Sequence, residues 1–161
     1  MVSIPLPNNY FSIVILNAFS IRQIPIINMM MDWLLNRDKL LADKKKLGKW
    51  GEKCCEGFLK KKGFKKLARN YSCKTGEIDL VMADTDGAVV FVEVKTRADE
   101  KLTSAESAVT AAKKTRMNRA ARYFLATNNI KDRPLRFDVV AIVLGPKGRP
   151  QIRHYENAFV P

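Results

Sequence analysis

Residues Gly76 to Arg97 decide the fold, and they read G-E-I-D-L-V-M-A-D-T-D-G-A-V-V-F-V-E-V-K-T-R. Two apolar runs, Ile78–Ala83 and Ala88–Val94, are rich in β-branched and aromatic residues. The polar segment Asp84–Gly87 separates them. Apolar runs joined by a short Asp- and Gly-containing loop are typical of a β-hairpin, so this stretch predicts two antiparallel strands.

The length of the hairpin loop determines which side chains face each other. A three-residue loop over residues 85–87, with Gly87 in a left-handed conformation, would place Asp79 directly opposite Glu93. The β-carbons of such a cross-strand pair lie roughly 5 Å apart. Lys95 and Arg97 follow Glu93 at alternate positions, so strand geometry predicts that all three lie on one face of the sheet.

Two carboxylates that face each other across a hairpin repel, and a cation between them would remove the repulsion. A hard divalent ion such as Mg²⁺ favours one or two carboxylates together with water and phosphate oxygens. The ammonium group of Lys95 would then orient an attacking water and neutralise charge on a phosphate. The same three residues also fit an ordinary salt-bridge cluster at a strand end, and their spacing alone leaves both interpretations open.

The chain is strongly basic. Its 161 residues include 29 Lys and Arg against 16 Asp and Glu, which gives a formal net charge of +13. The length predicts one domain with enough chain for a core. Between Lys44 and Gly76, twelve basic residues stand against Glu52 and Glu56. Such a surface predicts a polyanionic partner, although a merely solvated basic face gives the same composition.

Cysteine and histidine chemistry are not expected. Cys54, Cys55 and Cys73 contain no C-x-x-C pair, so neither a disulfide framework nor a zinc site is predicted. A reducing, cytoplasmic location is therefore the default expectation. The single histidine, His154, lies near the C-terminus, which argues against histidine-based acid–base or metal chemistry.

Residues 1–43 differ from the rest and are predicted to be an N-terminal extension, poorly ordered or added by a misassigned start, before a domain over residues 44–161. Polar residues interrupt their apolar stretches, so no span of about 20 apolar residues predicts a membrane helix. A basic segment typical of a signal peptide is also missing. Translation beginning at one of the methionines at 29–31 is a hypothesis that mass spectrometry of the native N-terminus tests.

A helix and a strand are predicted before the hairpin. The helix covers Lys44–Lys62 and ends at Gly63, and the strand covers Phe64–Tyr71. Glu52 lies at the edge of the helix's apolar arc, where a carboxylate without a partner is costly. A functional role for Glu52 and a half-exposed glutamate paired with a nearby lysine explain this position equally well.

A second long helix is predicted after the hairpin, capped by Thr103 or Ser104 and running to about Ala126. Lys113 and Arg116 fall inside its apolar arc, where long cationic side chains can snorkel to solvent. Other residues already supply the polar face, so we expect these two cations to point at the sheet, toward the carboxylates or a bound phosphate. The arc contains Ala105, Val109, Ala112, Met117, Ala120, Tyr123 and Phe124.

Two strands, Leu135–Leu144 and Gln151–Tyr155, are predicted at the C-terminal end. Asp138 lies among the apolar residues of the first of them. We expect Asp138 to be a structural hydrogen-bond acceptor in preference to a metal ligand.

The order helix, three strands, helix, two strands, with acidic residues on the second and third strands, resembles the restriction-endonuclease-like nucleases and their PD-(D/E)xK site. Within them the chain is similar to the YraN-like family, which looks like a bacterial relative of archaeal Holliday junction resolvases. The resemblance runs in collinear order from residue 44 to the C-terminus. Its motifs are Gly51-Glu52, Gly63-Phe64, Ala68-Arg69-Asn70, Gly76–Leu80, Val90–Arg97, Ala108–Thr110 with Lys113 and Arg116, Arg136–Val140 and Asn157–Phe159. Ala111 departs from the pattern, because relatives carry Pro there.

The resemblance implies an α/β fold with a central mixed sheet of about five strands flanked by helices. By the same resemblance Asp79 and Glu93 would be ligands of Mg²⁺ or Mn²⁺, Lys95 the catalytic lysine and Glu52 the helix glutamate that completes the site. Lys113 matches a polar position over the active face.

Two classes of function follow. The first is a metal-dependent endonuclease that hydrolyses phosphodiester bonds in DNA, above all branched or structured DNA. The second is a non-catalytic nucleic-acid-binding protein with a vestigial site. In both classes Arg97, Lys113 and Arg116 are expected to contact nucleic acid, no membrane partner is expected, and a homodimer is an expectation taken from junction-cutting relatives.

Overall fold

The predicted hairpin forms part of a five-stranded sheet in a computed structural model that describes residues 37–98, 109–144 and 150–160. The strands lie in chain order, with β3 and β4 parallel and the other neighbours antiparallel. This mixed α/β sheet confirms the expected fold class and is consistent with a restriction-endonuclease-like fold. The strands are β1 (Lys65–Cys73), β2 (Gly76–Ala83), β3 (Val89–Arg97), β4 (Leu135–Val143) and β5 (Gln151–Tyr155).

One helix covers each face of the sheet. Helix α1 (Lys44–Lys61) begins at an Asp43 cap, and helix α2 (Ala111–Thr127) begins at a Thr110 cap. The α1 face buries Leu80, Met82, Val90 and Val92, and the α2 face buries Val81, Val89 and Phe91. Strand β3 is therefore apolar on both faces until Glu93, as expected for a strand covered on each side.

The hairpin turn forms as the sequence predicts. The carboxylate of Asp84 accepts hydrogen bonds from the backbone N–H groups of Asp86 and Ala88, and Gly87 has a left-handed φ of 87°. The strand register pairs Leu80 with Val92, so the next position in the same register pairs Asp79 with Glu93. The β2–β3 pairing ends at Leu80 and Val92, one residue before that pair.

Both β1 and β2 reverse their faces beside Asp79. Ile78 packs with α2 although Leu80, two residues later, packs with α1. In β1 the reversal coincides with Asn70, which has a left-handed φ of 51°. An irregularity of this kind re-aims side chains near the end of a ladder. It turns the Asp79 carboxylate toward β3, where it accepts a hydrogen bond from the Val94 N–H at 2.7 Å.

Helix α1 approaches β3 closely at Gly51. A β-carbon built on Gly51 would overlap Oγ1 of Thr96, so only glycine permits this contact. The neighbouring residue on the helix, Glu52, is thereby held against the end of β3. Leu40 and Leu41, in the helical residues 37–42 before α1, also pack against this side of the core.

The second helix differs from the prediction at its start and at two positions of the apolar arc, because Ala112 and Tyr123 are both exposed. Residues 109–110 are not helical, and the Thr110 side chain accepts a hydrogen bond from the Lys113 N–H, so the helix begins at Ala111 and not after Thr103 or Ser104. Tyr123, predicted in the buried arc, is 52% exposed, and Ala121 is buried in its place. The helix is oriented about its axis so that Ala121, which is smaller than Tyr123, packs against the sheet. Ala105, also predicted in the arc, lies outside the described residues.

Asp138 confirms the expectation of a structural acceptor. It is fully buried, and Arg136 donates to its carboxylate from Nε at 2.9 Å and from Nη2 at 3.2 Å. His154 Nε2 lies 2.8 Å away, and the Asn157 N–H donates at 2.9 Å. The histidine thus joins β5 to β4, a structural role.

Residues 1–36 lie outside the described part of the chain, so the N-terminal extension and its start remain predictions. Within residues 37–98, 109–144 and 150–160, no helix is long and apolar enough to span a membrane. The three cysteines are free thiols, as expected.

Candidate functional site

A cleft of about 620 Å³ lies between the first half of α1, the end of β3 and the start of α2. It is built where the sheet loses its apolar pattern, because β3 changes from valines to charged residues at that point. Six of the seven residues predicted from the sequence line this cleft: Glu52, Asp79, Glu93, Lys95, Arg97 and Lys113. The hairpin, the close approach of α1 and the Thr110 cap of α2 together bring them there.

Glu93 is the most buried carboxylate of the cleft, with 2% of its surface exposed. Lys95 donates a hydrogen bond from Nζ to its Oε1 at 2.6 Å, which confirms that the two side chains share a face. Lys113 Nζ lies 3.1 Å from the other oxygen, Oε2, but its approach lacks hydrogen-bond geometry. Oε2 of the buried Glu93 carboxylate therefore lies beside the Lys113 ammonium group without a directed hydrogen bond.

Asp79 lies in the same cleft, half-buried and bonded to the Val94 N–H. Burial raises the pKa of the Asp79 carboxyl to about 6, with a further increase from the charge of Glu93. The Val94 N–H and Lys113 oppose this change, and Glu52 adds to it. The charge of one carboxylate raises the pKa of its neighbour because the two groups repel each other. A cation bound between them removes this repulsion.

Lys113 comes from the first turn of α2 and lies between two carboxylates. Its Nζ is 3.1 Å from Glu93 Oε2 and 3.3 Å from Glu77 Oε1, and 15% of its side chain is exposed. Burial alone would lower the pKa of Lys113, but the charge of Glu93 and its close contact with the ammonium group, followed by the smaller effects of Asp79 and Glu77, raise it. The ammonium group is therefore held charged in the cleft.

Glu52 is half-buried on α1 and lines the cleft, as its place at the edge of the helix arc suggested. The buried glutamate of this helix is Glu56, for which the sequence predicted no role. Glu56 pairs with Lys60 at 2.7 Å, Lys66 at 3.1 Å and Arg69 at 3.3 Å. These contacts lie away from the cleft lining and join α1 to β1, a structural role. The i,i+4 spacing of Glu56 and Lys60 was the available signal.

The two predicted arginines differ in position. Arg97 lines the cleft at the end of β3. Arg116 is exposed and lies beside the β1–β2 turn, in a second cleft of about 470 Å³ that also contains Lys74 and Lys113. Arg116 therefore does not point at the carboxylates as predicted, because its position on α2 faces the turn at Gly76.

Glu77 belongs to the Gly76–Leu80 motif, but the sequence predicted no role for it. It lines both clefts and contacts Lys113. Its side chain is 72% exposed, so it forms the outer rim of the site. The sequence feature that could have indicated a role for Glu77 is its position two residues before Asp79 on the same strand.

The donor set of the cleft fits a hard cation with few protein ligands. Among the described residues, no group of three or more His, Cys, Asp or Glu side chains is close enough to hold a metal ion. Asp79 and Glu93 offer two carboxylates, and Oε2 of Glu93 is buried without a hydrogen-bond partner. Two carboxylates suffice for Mg²⁺, because this ion keeps several waters and takes further oxygens from phosphates.

Comparison with known proteins identifies relatives over most of the chain. The sequence profile of the Uncharacterised protein family UPF0102 matches residues 51–142. A UPF0102 protein of Pelobacter propionicus is 42% identical over 118 residues, which cover 73% of this chain and 84% of the relative. A UPF0102 protein of Pelotomaculum thermopropionicum is 40% identical over 121 residues, covering 74% of this chain and 100% of the relative. The chain therefore belongs to family UPF0102, the YraN-like family that its motifs predict.

Proposed function

We propose that the protein is a metal-dependent endonuclease of the restriction-endonuclease-like superfamily that hydrolyses phosphodiester bonds in DNA. The observation that carries the proposal is the meeting of Asp79, Glu93 and Lys95 in one cleft beside a strongly basic surface. An acidic pair with an amine at this point of such a sheet is the arrangement that the PD-(D/E)xK resemblance implies. The preferred substrate is branched or otherwise structured DNA.

Each residue of the cleft has a role in this proposal. Asp79 and Glu93 would hold Mg²⁺ or Mn²⁺, which supplies Lewis acidity to a phosphate oxygen. Lys95, held by its bond to Glu93, orients the attacking water and neutralises charge that develops on the phosphate. Glu52 adds a carboxylate at the cleft wall that completes the acidic set.

The basic residues around the cleft would bind the nucleic-acid backbone. Arg97 lies at the cleft wall, and Arg116 with Lys74 lies in the neighbouring cleft that shares Lys113 and Glu77. A strand that crosses both clefts would meet cations on either side of the scissile phosphate. The charge of +13 supplies the sequence-independent part of the affinity.

A second function, nucleic-acid binding without cleavage, is favoured by one specific observation. Both oxygens of Glu93 have an ammonium group beside them, so the acidic site is neutralised by the chain's own lysines. A vestigial site maintained for stability would look the same. In that case the clefts would bind the backbone of nucleic acid and catalyse nothing.

A cleavage screen tests the first function. The native protein, the Lys95→Ala variant and the matched control Lys53→Ala are incubated with Mn²⁺ and with junction, flap, nicked and duplex DNA and structured RNA. We choose Lys53 because it is exposed on α1 and does not line the cleft. The endonuclease proposal requires cleavage by the native and Lys53→Ala proteins and its loss in Lys95→Ala. Cleavage that survives Lys95→Ala would identify a contaminant or another site.

Binding measurements separate the two functions. If the protein is an enzyme, Asp79→Ala and Glu93→Ala abolish cleavage and also Mn²⁺ binding at this site. If it is a binding protein, neither change weakens DNA affinity, and each increases it because a negative charge is removed beside the backbone. Fluorescence anisotropy with a labelled junction, run beside calorimetry with Mn²⁺, measures both quantities.

A further inference from the structure

Lys113 occupies the position beside Glu93 that a metal ion would need. Its Nζ lies 3.1 Å from Oε2, the oxygen of Glu93 that has no hydrogen-bond partner, and the Coulomb influence of Lys113 reaches Asp79 as well. A divalent ion held by Glu93 and Asp79 would have to approach the same oxygen. Two cations cannot share it without strong repulsion.

Lys113 contacts a second carboxylate at the same time. Its Nζ donates a hydrogen bond to Glu77 Oε1 at 3.3 Å, at the exposed rim of the cleft. Lysine carries its charge on a flexible four-carbon stem, so a small rotation exchanges this shared position for one on Glu77 alone. Lys95 contacts Glu93 through the other oxygen, Oε1, at 2.6 Å.

We propose that Lys113 is a tethered cation that neutralises Glu93 until a divalent ion binds and then leaves Glu93, keeps its contact with Glu77 and meets the incoming phosphate. This inference rests on the proposed function, because it assumes that Asp79 and Glu93 bind a metal. It gives Lys113 a regulatory role at the site: the lysine lowers metal affinity in the free protein. DNA, by offering a phosphate to the displaced ammonium, raises that affinity.

Calorimetry with Mn²⁺ on three full-length proteins tests the competition. They are the native chain, Lys113→Met and the matched control Lys114→Met. Lys114 is the next residue on α2, lies 5.2 Å from the Phe159 ring centre and does not line the cleft. The proposal expects Lys113→Met to bind Mn²⁺ at least about tenfold more tightly than both other proteins, because a competing unit charge is removed. Equal or weaker binding in Lys113→Met overturns it.

A double-mutant cycle tests the exchange of partners. In the native background, Glu77→Gln removes the second partner of Lys113 and weakens Mn²⁺ binding. In the Lys113→Met background, the same change has an effect smaller by about threefold or more, because no lysine remains to be displaced. Equal effects in the two backgrounds would show that Glu77 acts on the metal directly, and the exchange would be wrong.

The outcomes also separate this inference from the proposed function. If native protein and Lys113→Met both fail to bind Mn²⁺ while their thermal unfolding stays cooperative, the metal site itself is wrong and the inference falls with it. If native protein binds Mn²⁺ and Lys113→Met binds no better than Lys114→Met, only the inference falls. Lys113→Gln, which keeps a polar side chain beside Glu93, repeats the test if Lys113→Met unfolds.

Discussion

At the scale of single residues, Asp79 shows what the site costs the fold. Burial, followed by the charge of Glu93, raises the pKa of its carboxyl from an ordinary 3.8 to about 6. An acid with a raised pKa in the folded state stabilises the fold when protonated, and this stabilisation is lost as the pH rises through the folded pKa. Above pH 6 the ionised Asp79 therefore lowers the free energy of unfolding, by about 3 kcal/mol.

Asp79→Asn is expected to stabilise the metal-free protein at neutral pH. The amide oxygen of the new side chain still accepts the Val94 N–H, and no charge is buried beside Glu93. The gain in the free energy of unfolding should reach about 3 kcal/mol at pH 8, shrink below pH 6 and vanish near pH 4. Urea denaturation at several pH values measures it. The exposed turn residue gives the control, Asp86→Asn, and an Asp79→Asn protein less stable than native at pH 8 would contradict the expectation.

Much of this residue geometry could be predicted from the sequence. A three-residue loop sets the register, and strand alternation then puts Glu93 and Lys95 on one face. The direction in which the Asp79 side chain points could not be predicted, because it depends on the face reversal at Asn70 and Ile78. Such reversals follow from tertiary packing on two sides, which a local pattern does not contain.

At the scale of elements, the contact of α1 with β3 positions one wall of the cleft. Gly51 lies against Thr96, and Glu52 follows it on the helix. Gly51→Ala is expected to push the helix away from the strand and to lower the free energy of unfolding by about 1–3 kcal/mol. Thermal unfolding measures this effect.

The same helix supplies the control for that prediction. Gly48 also lines the cleft, and a β-carbon added there meets no atom within 4 Å. Gly48→Ala should therefore stabilise the protein by up to about 1 kcal/mol, the difference in helix propensity. Opposite signs for the two changes would establish the close approach, whereas equal signs would show that α1 does not depend on it.

The pairing of β4 with β5 depends on a buried ion network. Asp138 is bonded by Arg136, His154 and the Asn157 N–H. Asp138→Ala removes the buried acceptor that Arg136, His154 and the Asn157 N–H share, so the free energy of unfolding should fall by about 3 kcal/mol. The urea midpoint measures the loss. The surface change Asp86→Ala should cost less than about 0.5 kcal/mol, and a similar small cost for Asp138→Ala would refute a structural role.

The existence of every helix and strand in the described residues after Asp43 could be predicted, but the start of α2 could not. Thr103, Ser104 and Thr110 are all suitable caps, and the sequence alone does not choose among them. The family pattern implied by the resemblance expects Pro at the position of Ala111, which would have favoured a start there, because proline is preferred at the first helical residue. Because α2 begins at Ala111, Lys113 belongs to its first turn and lies at the cleft.

At the scale of the whole molecule, the net charge of +13 is expected to dominate the affinity for nucleic acid. Binding of a labelled junction should weaken steeply with salt, and Arg116→Ala should reduce the slope of log affinity against log salt by about 1. Lys131→Ala is the control. It lies beyond the far end of the 17-residue helix α2, roughly 25 Å from the start of the helix. A slope equally unchanged in both variants would exclude Arg116 from the contact surface.

The overall charge predicted a polyanionic partner in general, and only the structure shows where the acids lie within this basic surface. Glu93 and Asp79 lie at the cleft, and Glu56 is surrounded by Lys60, Lys66 and Arg69 one helical turn beyond Glu52 on α1, outside the cleft lining. Composition cannot distinguish these two groups, because both are acids among lysines. Burial and the element on which each partner lies distinguish them.

The turn at residues 84–87 has a consequence for how this chain can change over generations. Because it sets the register, inserting or deleting one residue there would exchange the two faces of β3, moving Phe91 to the α1 side, Val90 and Val92 to the α2 side and Glu93 out of the cleft into the apolar α1 layer. Substitutions in the turn that keep Asp84 and Gly87 leave the register intact. We therefore expect loop length to be inherited more strictly than loop composition, and a library of turn variants sorted by solubility should retain only those of the original length.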